Sequence, residues 1–149
     1  MLWQERQIKT GGESLKTIKE LENISKKIRI GIIEAVYGAK SGHPGGSLSI
    51  ADILTVLYFN EMNINPKEPN SPARDRLVLS KGHASPGLYS ALAEKGYFSR
   101  EALKTCRKID SYMQGHPDMN KVPGVDMTTG SLRTRFIMRK RNGNEFKAE

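Results

Sequence analysis

The sequence predicts an α/β chain in which helices wrap a parallel sheet to which it contributes one clear strand. Three observations carry that expectation. Leu77, Val78 and Leu79 form an apolar run of the length of a buried strand. Ser80, Lys81 and Gly82 break the run, and Ser85-Pro86 has the form of a helix N-cap followed by proline at the first helical position. Upstream, Leu15, Ile18, Leu21, Ile24, Ile28 and Ile32 recur at threes and fours, the period of an amphipathic helix.

Residues 1–12 read as an N-terminal extension. The long helix is expected from Glu13 to about Gly38, with Gly38 and Gly42 ending it. Ser41-Gly-His-Pro-Gly-Gly46 is too glycine-rich for regular structure and is expected as a tight loop. A second helix starts near Ser49, where Ser49 and Asp52 have capping-box spacing. Its Ile53, Leu54, Val56, Leu57 and Tyr58 make it apolar nearly all round, so burial is expected. Residues 63–72 are a proline-marked surface connector. After the strand, a helix continues from Leu88 to Lys95 and closes at Gly96. Another follows with Ser99 as cap and Ala102, Leu103, Cys106 and Ile109 inward. Gly115 to Leu132 reads as loop, and residues 133–149 show no helical or strand period.

A chain of 149 residues is long enough for one core. Its 37% hydrophobic and 27% charged content is that of an ordinary soluble protein. No apolar run approaches the roughly 18 residues of a membrane span, and Met1 to Gln7 lacks the apolar centre of a secretory signal. The single Cys106 has no internal partner, which favours a reducing, cytoplasmic setting and a packing role. The net charge of +8 suggests nucleic acid until it is located. Residues 133–149 carry six basic and two acidic groups, so this short tail holds +4 of it and the body is only mildly basic. Nucleic-acid binding is therefore not expected.

A strand passing through a glycine turn into a helix N-terminus is where α/β proteins place anionic ligands. His83, in that turn, can add a donor to a phosphate, although the same turn suits a plain connection with a solvated His and Lys. All three histidines lie in glycine- or proline-marked loops: His43 in Ser-Gly-His-Pro-Gly, His83 in Lys-Gly-His-Ala-Ser, His116 in Gly-His-Pro. Such placement points to a shared pocket whose imidazoles hydrogen-bond hydroxyls and phosphates and move protons near neutral pH. Zinc is the competing use, but the spacings contain no compact ligand pair and no suitably placed cysteine or acid.

Four stretches, Ser41-Gly-His-Pro-Gly-Gly46, Asp75-Arg-Leu-Val-Leu-Ser-Lys-Gly-His-Ala-Ser85, Gly115-His-Pro117 and Pro123-Gly-Val-Asp-Met-Thr-Thr-Gly-Ser-Leu132, occur in the order and style of transketolase. Over roughly residues 10–132 the chain resembles the N-terminal subunit of the split bacterial form, and the related deoxyxylulose-phosphate synthases fit less well around the second histidine. The resemblance implies an α/β, thiamine-diphosphate-binding (diphosphate-domain) parallel-sheet fold, present here as an incomplete, helix-rich fragment over residues 13–132. It implies a transferase of the pentose phosphate pathway that moves a two-carbon ketol unit from a ketose phosphate to an aldose phosphate. His43 and His116 match catalytic histidines that contact substrate hydroxyls and assist proton movement. His83 matches a histidine beside the cofactor diphosphate, and Gly130 and Leu132 match main-chain positions against the cofactor rings, with Ser131 between them where many relatives have proline.

The resemblance also implies Mg2+ bridging the diphosphate, yet the family's cation-holding motif is absent, so no metal ligand is assigned in this chain. The glutamate that activates the cofactor would come from a C-terminal transketolase subunit, which implies a homo- or hetero-oligomer acting on sugar phosphates away from membranes. A truncated chain of this kind is expected to be inactive by itself, the alternative being a non-catalytic fragment that docks on that subunit. Residues 133–149 form a basic, non-family tail. One choice of synonymous codons for it, read one base later, gives a family-like continuation, so a frameshift after Leu132 is expected and sequencing the coding DNA there tests it.

Overall fold

The structure is a computed structural model and describes residues 15–130 and the backbone of 137–139. Helix α1 spans Ile18–Ala39. Thr17 caps it: the Glu20 amide donates to Thr17 Oγ1 at 3.3 Å, and the Thr17 amide donates to Glu20 Oε2 at 2.7 Å. This reciprocal capping box satisfies N–H groups that the first turn leaves open, and it places the start later than the hydrophobic period alone suggests. Lys40, in the left-handed region at φ 47°, ends the helix.

The glycine-rich loop is not wholly irregular, because Pro44 initiates a short helix α2, Pro44–Leu48. Helix α3, Ala51–Val56, runs directly into a wider π-helical turn, Leu57–Glu61. The expected Ser49–Asp52 capping box is not formed. Ser49 Oγ donates to Gly46 O at 3.1 Å, and the Asp52 carboxylate faces α1, accepting from Arg29 at 2.9 and 2.7 Å and from Ser25 Oγ. A cation brought in by tertiary packing holds a carboxylate more strongly than neutral amides do. Burial all round fails as well: Leu54 and Tyr58 are buried, but Ile53 and Val56 are exposed.

Strand β1 is Arg76–Val78, with Leu77 and Leu79 buried. A single 3-10 turn, Gly82–Ala84, leads into α4, Ser85–Lys95. Ser85 is thus the first helical residue and not the cap, and Gly96 closes the helix at φ 98°, a conformation open to glycine. Every residue from Ser85 to Ala93 is buried, so α4 is the central element of the core. Ile28, Ile32 and Ala35 of α1, Leu54 and Tyr58, and Leu103 and Cys106 belong to the same buried cluster. Ser99 does cap its segment, accepting from the Glu101 amide, but Arg100–Thr105 is 3-10 and not α-helical. Leu103 and Cys106 point inward as expected, whereas Ile109 is exposed. Residues 115–130 hold no helix or strand.

Among the described residues the sheet has two strands, β1 and β2 (Ile137–Arg139), with Arg76 opposite Arg139 and Val78 opposite Ile137. They pair antiparallel, so the expected parallel sheet is not what the described residues form, and the tail expected to lack a strand supplies one. An open strand edge accepts any extended segment that reaches it, while parallel neighbours need crossover helices and further strands.

Candidate active site

The site is built on the turn before α4. His83 lies in that 3-10 turn, His43 is the residue immediately before α2, and His116 sits in the loop after Met113. Their imidazoles meet. His83 lies edge-on to His43, with ring centroids 4.8 Å apart and planes at 69°, and edge-on to His116 at 5.1 Å and 70°. Perpendicular rings at this spacing pack the positive edge of one against the face of the next. His43 is exposed and the other two are half-buried, so the ladder runs from the surface inward.

Beneath it, backbone and side chains are pressed together. A Cβ on Gly82 would lie 2.5 Å from Thr129 Oγ1 and 2.8 Å from His116 Nδ1. Only glycine permits that approach. Thr129 Oγ1 and His116 Nδ1 are both buried without a hydrogen-bond partner, and so is Ser47 Oγ of α2. Buried polar atoms are ordinarily paired, and several orphans at a functional cleft mark a place where a ligand group completes the pairing. Lys81, exposed beside them, donates from Nζ to Ser49 Oγ at 3.1 Å and ties the turn to α2.

The loops carrying these residues are anchored. The Thr129 amide donates to Pro117 O at 3.0 Å, joining the two ends of the 117–130 loop. Asp126 fastens the same loop to β1: its carboxylate accepts from the Leu77 amide at 2.7 Å and pairs with Arg74, the two side chains being 2% and 7% exposed. Burial opposes the charge of Arg74, but the hydrogen bond and charge of Asp126, with smaller contributions from Tyr97 and Tyr58, together leave its pKa raised. A cavity of about 240 Å³ lies beside this clamp, between Pro69–Asn70 and Met119–Val125, and its lining includes none of the histidines.

Of the residues that the sequence points to, His43, His83 and His116 come together. Gly130 is exposed, with open space where a Cβ would be. Ser131 and Leu132 lie outside the described residues. Sequence reasoning misses Thr129 and the close approach at Gly82, although both stand inside the family-like stretches. Nothing in a Thr-Thr-Gly stretch marks which hydroxyl will be buried without a partner. Among the described residues no group of three or more His, Cys, Asp or Glu could hold a metal ion, and no helix is long and apolar enough to cross a membrane.

The residues fit a diphosphate-bearing cofactor in their chemistry: two unpaired buried polar atoms, His116 Nδ1 and Thr129 Oγ1, lie against Gly82 beside the three imidazoles. Comparison with known proteins agrees in kind. The chain is 48% identical over 117 residues to the 6-deoxy-6-sulfo-D-fructose transketolase subunit SqwG of Clostridium sp. (strain MSTE9), covering 78% of this chain and 42% of that protein. It is 44% identical over 115 residues to an apulose-4-phosphate transketolase subunit of Phocaeicola vulgatus, covering 77% and 41%. The structure of transketolase from Leishmania mexicana superposes with a TM-score of 0.73 at 35% identity, over 79% of this chain and 17% of that one. The chain therefore spans less than half the length of each of these relatives. A family model described as transketolase, thiamine diphosphate binding domain, matches residues 21–136, and the chain belongs to that family.

Proposed function

We propose that this chain contributes the N-terminal part of a thiamine-diphosphate site for transketolase-type transfer of a two-carbon ketol unit from a ketose phosphate to an aldose phosphate. The observation that carries the proposal is the ladder of three imidazoles, in which His116 Nδ1 is buried without a partner, as is Thr129 Oγ1, the other atom that Gly82 approaches. Bound thiamine diphosphate would supply the carbanion that attacks the donor carbonyl and the ring that holds its electrons. The protein groups then bind, orient and move protons. His83, in the turn at the positive end of α4, lies where a diphosphate is favoured. His43, exposed at the rim, and His116, deeper, are disposed to hydrogen-bond substrate hydroxyls and carry protons at a ring nitrogen. The backbone of Gly130, with Ser131 and Leu132 beyond it, would lie against the cofactor rings.

The relatives named as transketolase subunits support a C-terminal subunit in the role of partner, with sugar phosphates as substrates and a homo- or hetero-oligomer as the working form. Mg2+ for the diphosphate would need ligands beyond the described residues, which hold no metal-binding group. Because the family's cation-holding motif is not found in the sequence, we expect no ketol transfer from this chain even when supplied with thiamine diphosphate, Mg2+ and a C-terminal subunit; turnover in that assay overturns the inactivity. The binding role has its own test. Thiamine diphosphate added to the chain with 13C-labelled histidines is expected to shift the Cε1–H resonances of His83 and His116. Three unmoved resonances would sink the proposal.

A non-catalytic docking role is the second reading, favoured by exposed Ile30, Ile33 and Tyr37 along one side of α1. It predicts histidine resonances that ignore thiamine diphosphate, together with co-purification with the C-terminal subunit.

A further inference from the structure

We propose that Ser85 and Tyr89 are positioning residues that hold His116 edge-on to His83. Ser85 Oγ donates to Gly115 O at 2.7 Å, and Tyr89 Oη donates to Gln114 O at 2.8 Å. These are successive carbonyls, immediately before His116. The two donors are four residues apart on α4, hence on one face of the helix. They are 2% and 0% exposed, so water does not compete for them.

The use of Ser85 is informative. A serine at the start of a helix commonly closes on the helix's own amides, yet this hydroxyl reaches across to the histidine loop. Tyr89 keeps the proton it donates, since burial pushes the phenol pKa further above its ordinary value of 10.

The loop needs such fixing. Residues 115–130 contain no helix or strand, so their carbonyls find partners one by one. On the far side of His116, Pro117 O accepts from the Thr129 amide. On the near side, Ser85 and Tyr89 provide the ties. The same helix carries His83 through the main chain just before Ser85. One rigid element therefore sets both imidazoles, and the 5.1 Å separation of His83 and His116 follows from the reach of two side chains. The inference rests on the reading of His116 as a site residue.

The test uses the full chain without cofactor, with the three histidine Cε1–H resonances assigned by substituting each histidine in turn. Tyr89→Phe and Ser85→Ala each remove one donor and are expected to shift the His116 resonance by more than its linewidth while that of His43 stays in place. Ser85→Thr retains the hydroxyl and is expected to restore the wild-type position. Cys106→Ala, buried but without a hydrogen bond to the loop carbonyls, serves as the comparison for general loosening of the core. An unmoved His116 resonance in both Tyr89→Phe and Ser85→Ala overturns the inference. So does an equal shift in Cys106→Ala. Because no cofactor is present, these outcomes are separate from the thiamine diphosphate titration, whose failure would remove the proposed function and leave the positioning decided by these spectra.

Discussion

At the scale of single residues, Gly82 sets how closely the turn before α4 and the loop of His116 and Thr129 can approach. The added methyl in Gly82→Ala would meet Thr129 Oγ1 at 2.5 Å and His116 Nδ1 at 2.8 Å, so one of the loops must retreat. Overpacking of this kind costs about 1–3 kcal/mol. We expect a lowered thermal midpoint together with loss of thiamine diphosphate binding; a variant that binds normally would show that the approach does not matter. Cys106 illustrates the opposite kind of residue. Burial pushes its thiol up to about 11, against a smaller lowering effect from Arg107, so it stays protonated at neutral pH. Iodoacetamide should leave it unmodified in the folded chain near neutral pH and modify it in urea. Rapid labelling without urea would contradict the packing role read from its solitary place in the sequence.

Elements show how local signals and tertiary contacts compete. The capping box Thr17–Glu20 agrees with the helix it starts, and Thr17→Ala should reduce stability by about 1 kcal/mol in urea unfolding. Asp52 stands in a sequence pattern that imitates a capping box, yet its carboxylate belongs to Arg29 and Ser25. Those hydrogen bonds, Arg29 first, hold its pKa at about 2, below the ordinary value of 3.8. A carboxylate depressed on folding stabilises the folded state fully above its unfolded pKa, and that contribution disappears as pH falls through the folded one. The loss of stability between about pH 4 and pH 2 should therefore be shallower in Asp52→Asn. The group is 73% exposed, so the effect should be small and reduced by salt. Identical acid-unfolding profiles for Asp52→Asn and wild type would remove the pair from the account of stability.

For the whole molecule, the central question is how a loop-rich site stays in place on a chain whose described residues form one short sheet. The buried Arg74–Asp126 pair fastens the 117–130 loop to β1. Removing one partner of such a pair leaves an uncompensated charge, which costs about 3–5 kcal/mol. Asp126→Ala should accordingly unfold at much lower urea concentration than wild type, whereas Arg74→Met with Asp126→Leu should recover part of the loss. An unchanged midpoint in Asp126→Ala would show that the loop is held by other means. Exposed Ile30, Ile33, Tyr37, Ile53 and Val56 leave apolar surface uncovered on α1 and α3. A broad, low-temperature melt of the isolated chain is expected, and a sharp, high-temperature one would contradict it.

The amino-acid sequence by itself determined the period of α1 from Leu21 to Ile32, the buried strand at Leu77, the closing role of Gly96 and the loops that carry His43, His83 and His116. Each follows from local rules: side-chain period, the conformational range of glycine and proline, and apolar run length. Tertiary structure alone decided that those imidazoles pack edge-on to one another, that Asp52 faces Arg29 and not its own helix, and that Ser85 reaches the histidine loop. It also decided that Ile53 and Ile109 face outward and that β1 takes an antiparallel neighbour. The physical reason is the same throughout. Hydrogen-bond and packing partners distant in sequence are chosen by which groups folding brings within a few ångströms, and a local pattern carries no record of that distance.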